Sequence, residues 1–416
     1  MNTLPFRGQK YELFLFFIYI CVYENHQRIS LLQGCPFVKG QPSYGSLSSQ
    51  VIDALRFPCA VFVVLIHAWW VEPQSGPAAY SFPELFQIFF AQGICRIAVP
   101  LFFFISGYLF FTKLERWDWK VYFGKLKKRT KTLLVPYLLW ISLAILWELS
   151  FSLFRHYFFG WGDPFQFLAD KGWGLMYWNC ARNFHFVSET NLLGWAMPFA
   201  YPFDYPLWFI RDLIILCLFA PAIHYAIRKT KGWILALLYP LYLLNFWIPL
   251  EGFSAEGAFF FSLGACLQLS GKDILAVFER FKLPALFVFI PTLIVGFQAY
   301  GNDPRWGYLI KLMTLPGCIV VFNLVAYLVK KSIWRCNRFL SEVSFPLYAS
   351  HTIGLTLLTG FLLEKLLPID AQWAMFIRII LKPIIIIAII LVLYRLASKY
   401  IPRTTALFTG NRSKGN

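Results

Sequence analysis

Ten apolar stretches, separated by polar connections, constrain this chain more than any other feature of its sequence. They run from Ile52 to Trp70, Leu85 to Phe111, Leu133 to Phe154, Leu207 to Ile227, Trp233 to Leu250, Gly257 to Leu269, Leu283 to Tyr300, Tyr308 to Val329, Leu340 to Leu363 and Trp373 to Leu396. A helix needs about 20 residues to cross a ~30 Å hydrocarbon core, and only a helix or a closed barrel satisfies its own backbone there. The run from Gly257 to Leu269 is the shortest. Charged residues make up only 14% of the 416, against roughly 25% in a soluble domain, so the chain lacks the charge to cover a water-exposed surface. The expected fold class is all-α, a polytopic membrane protein with about ten transmembrane helices.

Basic residues alternate between the connections. Lys113, Arg116, Lys120, Lys125, Lys127, Lys128, Arg129 and Lys131 follow the second run, and Arg228, Lys229 and Lys231 follow the fourth. Lys272, Arg280 and Lys282 follow the sixth; Lys330, Lys331, Arg335 and Arg338 follow the eighth; Arg395, Lys399, Arg403, Arg412 and Lys414 lie at and beyond the end of the tenth. The intervening connections are poor in both types. Lys and Arg accumulate on the cytoplasmic side of membrane proteins. Both termini are therefore predicted to be cytoplasmic, in a multi-pass protein of the cell (inner) membrane. The same alternation accounts for the net charge of +17 and makes the lipid bilayer, not nucleic acid, the partner it implies.

Residues 1–48 form an N-terminal extension, 49–400 the membrane domain, and 401–416 a cytoplasmic tail. Within the extension, Leu13 to Tyr23 is an apolar run too short to span, and it reads as an interfacial or buried helix. The outer connection from Arg155 to Pro206 is long and rich in Trp, Tyr, Phe, Gly and Asn. Such side chains suit sugar faces and hydroxyls, and equally an aromatic belt at the membrane interface. The nine cysteines form no CxxC pair and no zinc spacing, so no metal is expected and packing explains them.

Charged side chains inside apolar runs demand a reason, because each costs roughly 2.5–3.5 kcal/mol at the bilayer centre. The first run reads RFPCAVFVVLIH from Arg56 to His67. Eleven steps of 100° bring both side chains to one helix face, about 16 Å apart along the axis. Alone, Arg56 reads as a snorkelling anchor and His67 as a packing histidine; together they are predicted to line a common cavity. Arg96 lies deep in the second run with no acid beside it, ahead of Pro100 and the small pair Ser106-Gly107. That pair suits close helix packing or a flexible spot. Arg211 and Asp212 are adjacent, about 100° apart, and need not pair. Arg378 and Lys382 stand one turn apart on the tenth run, facing a cavity or snorkelling. His351 lies within the ninth, and no role is assigned to His156, His185 or His224.

Taken in order, these residues resemble the acyltransferase type 3 family of bacterial and eukaryotic membrane proteins. Arg56, ten residues and His67 match the family's basic residue and histidine on the first span. Phe103-Phe104-Ile105-Ser106-Gly107-Tyr108 matches its aromatic and Ser-Gly signature on the second. Lys128 and Lys131, with Arg129 between, match a basic pair opening the third span, where the family often carries arginines. PLWFIRDL (Pro206 to Leu213), FFFSLGACL (Phe259 to Leu267) and SFPLYASH (Ser344 to His351) are further matches of family type. The likeness covers roughly Ser49 to Leu396; the first 45 residues have no counterpart.

The resemblance implies transfer of an acyl group, often acetyl, from cytoplasmic acyl-CoA to a hydroxyl of a carbohydrate or glycan acceptor. Arg56, Ser106, Gly107, Lys128, Arg129 and Lys131 are then the candidates for binding the acyl-CoA co-substrate. His67, Arg96, Arg211 and His351 are the catalytic candidates. His67 would act as general base or as a covalent acyl relay, and Arg96 or Arg211 would stabilise the oxyanion. His351 is a second base or a structural residue. The competing class is a transporter or flippase for an anionic or glycan-type solute, whose site would lie near the midplane between repeated halves; no internal repeat is visible. A non-catalytic membrane sensor would need neither Arg56 nor His67.

Overall fold

The computed structural model describes residues 47–410 apart from 72–78, 172, 181–188, 191–195, 198–200, 249, 302, 304 and 369–370. The expectations for most of the N-terminal extension and for His185, Arg412 and Lys414 lie outside the described residues.

Each apolar run becomes a helix or a bent pair of helices. α1 is Leu47–Ala68, α2 Phe82–Phe110 and α3 Trp119–Phe159. α4 (Tyr205–Leu218) and α5 (Ala220–Thr230) meet at 64°. α6 (Ile234–Leu243) follows, then α7 (Ala255–Leu269) and α8 (Ile274–Arg280), which meet at 114°. α9 (Lys282–Gln298) and α10 (Arg305–Lys330) form a hairpin. α11 (Arg338–Ser350) and α12 (Leu355–Leu366) meet at 82°, and α13 (Gln372–Tyr400) leads into a short α14 (Pro402–Thr409). Among the described residues, the strand structure is one two-residue antiparallel pair, Glu189–Thr190 with Ala196–Met197.

The all-helical class holds. Five helices are long and apolar enough to cross a membrane, or eight if each bent pair is one span. The two remaining apolar helices, α6 and α9, have 10 and 17 residues, short of the usual length for a span.

Prolines explain the irregularities inside α2 and α3. A proline ring clashes with the carbonyl four residues back, which for Pro100 belongs to Arg96 and for Pro136 to Thr132. α2 accommodates this with a π-turn at Ile88–Gly93 and a 3-10 turn at Ile94–Ile97, and α3 with a π-turn at Thr130–Leu134. Arg96 and Lys131 therefore sit on locally distorted backbone.

The centre of the molecule is the crossing of α2 and α7. A Cβ on Gly107 would lie 2.0 Å from the carbonyl oxygen of Phe261, and one on Gly264 would lie 2.1 Å from that of Phe104. The two backbones touch, which only small residues allow. Fully buried phenylalanines fill the space around them, including Phe103, Phe104, Phe259, Phe260 and Phe261. α1 packs against α11 and α10. The start of the tail docks back on α3: Gly410 lies against the backbone of Thr132, and the Trp140 indole donates to the Phe408 carbonyl at 3.0 Å.

Candidate active site

Three chain ends or breaks converge at the end of α1 away from Arg56. His67 is in the last turn of α1. His351 and Thr352 sit in the bend between α11 and α12. Gly354 makes that bend possible: its φ is +73°, and a Cβ there would meet the Trp147 indole at 2.3 Å. The Thr356 hydroxyl caps the opened backbone by donating to the His351 carbonyl at 2.7 Å. Asp204 and Tyr205 open α4 from the third side.

The rings of His67 and His351 stack, with centroids 5.3 Å apart and planes inclined by 28°. Tyr205 meets His67 edge-on at 4.8 Å. His351 is fully buried, whereas His67 is half-buried. The Nδ1 of His351 lies 2.8 Å from the Tyr348 carbonyl. A carbonyl only accepts, so Nδ1 carries the proton and Nε2 is the bare nitrogen. That Nε2 is buried and has no hydrogen-bond partner.

Asp204 is 4% exposed. Its Oδ1 accepts from the Thr352 hydroxyl at 2.7 Å, and its buried Oδ2 has no partner. Burial pushes its carboxyl up to about 7, with the Thr352 hydrogen bond pulling the other way. The Tyr348 hydroxyl donates to the Pro206 carbonyl, tying α11 to the start of α4. Sequence reasoning passed over Asp204, Tyr205 and Thr352. The available signal was an acid two residues ahead of the PLWFIRDL motif.

Arg96 lies within electrostatic range of His67. Its guanidinium donates to the side-chain oxygen of Gln92, with Nε at 3.1 Å, and lies 6.0 Å from the Trp306 ring centroid. Arg211 is placed differently from expectation. It pairs with its neighbour Asp212 at 3.0 Å and donates from Nη1 to the Trp178 carbonyl at 2.7 Å, with both charged residues buried. Asp212 in turn accepts from the Ser254 amide at 3.1 Å. Flexible side chains on adjacent residues meet despite the 100° between them. Arg211 is thus a tie between α4, the segment at Trp178 and the start of α7, with its donors committed there. Arg378 and Lys382 reach α12: Arg378 donates to the Leu367 carbonyl at 3.3 Å, and Lys382 lies against Gly360.

At the opposite, basic end the charges fall into groups with different neighbours. Arg56 pairs with Asp53 at 3.2 Å, both about 40% exposed, near Cys336. Lys125, which the sequence did not single out, and Arg129 flank the Phe110 ring at 5.7 and 5.9 Å. Lys128 and Lys131 are exposed, and Ser106 is half-buried. A cleft of about 900 Å³ opens at the connection between α2 and α3, lined by Lys113, Glu115, Arg116, Trp117, Asp118 and Gln268 among others, and none of the candidate donor residues lines it. Helix packing accounts fully for Gly107, which leaves no room for a ligand at its own Cα.

A family model described as an acyltransferase domain matches residues 50–395. The chain is 27% identical over 381 residues to the succinoglycan biosynthesis protein ExoH of Rhizobium meliloti (strain 1021), a match covering 87% of this chain and 92% of that protein. No solved structure matches the chain.

Proposed function

The chain belongs to this acyltransferase domain family, and from that premise we propose that it moves an acyl group, acetyl in the simplest case, from acyl-CoA to a hydroxyl of a glycan. The name of the ExoH relative, a protein of succinoglycan biosynthesis, supports a glycan acceptor. The observation that carries the reading is the His67–His351 stack at the meeting point of α1, α4 and the α11–α12 bend.

In this mechanism the His67 imidazole takes the proton of the acceptor hydroxyl. The oxygen attacks the thioester carbonyl carbon and forms a tetrahedral intermediate whose negative oxygen is stabilised by Arg96. Collapse breaks the C–S bond, and the CoA sulfur leaves with the proton that His67 holds. His351, fixed through Nδ1, supports the His67 ring from below. Arg211 takes no part in the chemistry; it holds the outer segment.

The reading also sets the topology. With α6 and α9 counted as short spans the total is ten, with both termini in the cytoplasm. The basic end then faces the cytosol, where acyl-CoA is found. Arg56, Lys125, Lys128, Arg129 and Lys131 meet its phosphates through charge-assisted hydrogen bonds. The acyl group reaches His67 along a face of α1 about 16 Å long. Broken helices also occur in transporters, but family membership favours reading the α11–α12 bend as part of a catalytic site.

Membranes containing the protein, supplied with radiolabelled acetyl-CoA and a glycan extract, test this directly. His67→Ala is expected to abolish label transfer at unchanged expression. Full transfer by that variant overturns the base assignment.

A further inference from the structure

The two carboxylate oxygens of Asp204 are not equivalent. Oδ1 is committed to Thr352, while Oδ2 is buried without a donor. Leaving a buried polar atom unsatisfied is costly, and more so when it is charged, so folded proteins rarely keep one without cause. The flanking residues place Asp204 beside the histidine pair. Tyr205, the next residue, packs edge-on against His67. Thr352, which holds Oδ1, directly follows His351. The Nε2 of His351 is the second orphaned atom of the same neighbourhood.

The chemistry of the pair is one-sided. With Nδ1 donating to the Tyr348 carbonyl, the neutral His351 ring can only accept at Nε2. The Asp204 carboxyl, once ionised above about pH 7, likewise only accepts. Groups of this kind call for a ligand that brings donors. An acyl thioester has no O–H or N–H at its reacting end, whereas a sugar presents a hydroxyl on almost every ring carbon. The Arg96 guanidinium, all donors, suits the developing oxyanion. The acceptors and the donor around His67 thus divide the two substrates between them.

We infer that Asp204 Oδ2 and His351 Nε2 form the acceptor subsite, receiving hydrogen bonds from hydroxyls of the same sugar whose reacting hydroxyl faces His67. This rests on the reading of His67 as the base. It assigns Asp204 to substrate binding and Thr352 to orienting it.

Asp204→Asn separates this role from a structural one. The asparagine oxygen keeps the Thr352 hydroxyl, so the fold retains that bond, while the amide nitrogen puts a donor where the sugar needs an acceptor. The expected result is a rise of about tenfold or more in the half-saturating amount of glycan extract, titrated by mass, with the KM for acetyl-CoA within twofold of the parent. Thr352→Val, which frees Oδ1, is expected to raise the same quantity by a smaller factor, and it serves as the test if the asparagine variant does not fold. An unchanged glycan dependence in the folded Asp204→Asn protein overturns the inference, and so does a parallel rise in the acetyl-CoA KM. A fully active His67→Ala protein instead removes the base assignment and leaves the Asp204 split between the two substrates standing as its own result.

Discussion

His67 stacks face to face on His351, although one ends the first helix and the other lies in a bend near the far end of the chain. The buried ring is anchored by the Tyr348 carbonyl and the half-buried His67 stacks on it. In the proposed mechanism the anchored ring fixes the orientation of the base, which is where a catalytic base gains most from its surroundings.

His351→Ala should therefore lower turnover by roughly 10- to 100-fold through misplacement of His67, since errors near 1 Å cost about that much. The acetyl-CoA KM should hold, because the proposed mechanism puts the donor phosphates at the other end of α1. Steady-state label transfer at varied acetyl-CoA checks both. Full turnover in the variant would show that the stack has no catalytic role.

Gly107→Ala distinguishes packing from donor binding. The added methyl meets the Phe261 carbonyl at 2.0 Å, which α2 and α7 can relieve only by separating. A loss of about 1–3 kcal/mol or more is expected, read as a lower thermal midpoint in detergent. An unchanged midpoint with weakened acetyl-CoA binding would return Gly107 to the donor site.

Arg211→Ala strands Asp212 as a buried, uncompensated carboxylate. Removing one partner of a buried pair typically costs 3–5 kcal/mol, so the protein should be strongly destabilised. The double variant Arg211→Met with Asp212→Leu should recover part of that loss and retain transfer activity in whatever fraction folds. Complete inactivity of a well-folded double variant would bring Arg211 back into the chemistry.

Asp204 makes stability depend on pH. Its carboxyl titrates at about 7 in the folded protein against an ordinary 3.8, so the native state holds the proton more tightly than the unfolded chain. That advantage is fully present below about pH 4 and is lost as the pH rises through about 7, on the order of 4 kcal/mol at 1.36 kcal/mol per pH unit. Asp204→Asn lacks this loss. The thermal midpoint of the variant should gain on that of the parent between about pH 4 and 8. A constant difference across that range would mean that Asp204 titrates as an ordinary carboxyl.

Hydropathy alone determined that the chain is helical and belongs in a membrane, because the cost of burying charge and backbone in lipid is local and can be read one residue at a time. The same local cost marked Arg56, His67 and Arg96 as side chains needing a reason, and 100° per residue placed Arg56 and His67 on one face. The tertiary structure alone decided which of these charges meet. The run from Leu340 to Leu363 reads as one straight span, yet Gly354 bends it by 82° and carries His351 and Thr352 to His67 and Asp204. A hinge residue barely alters an average over twenty apolar neighbours, so hydropathy passes over it. Asp204 was equally hidden, since an acid in a loop costs nothing until packing buries it. Arg211 found Asp212 for a similar reason: backbone geometry sets where two side chains leave the helix, but the surrounding protein decides where their charges end.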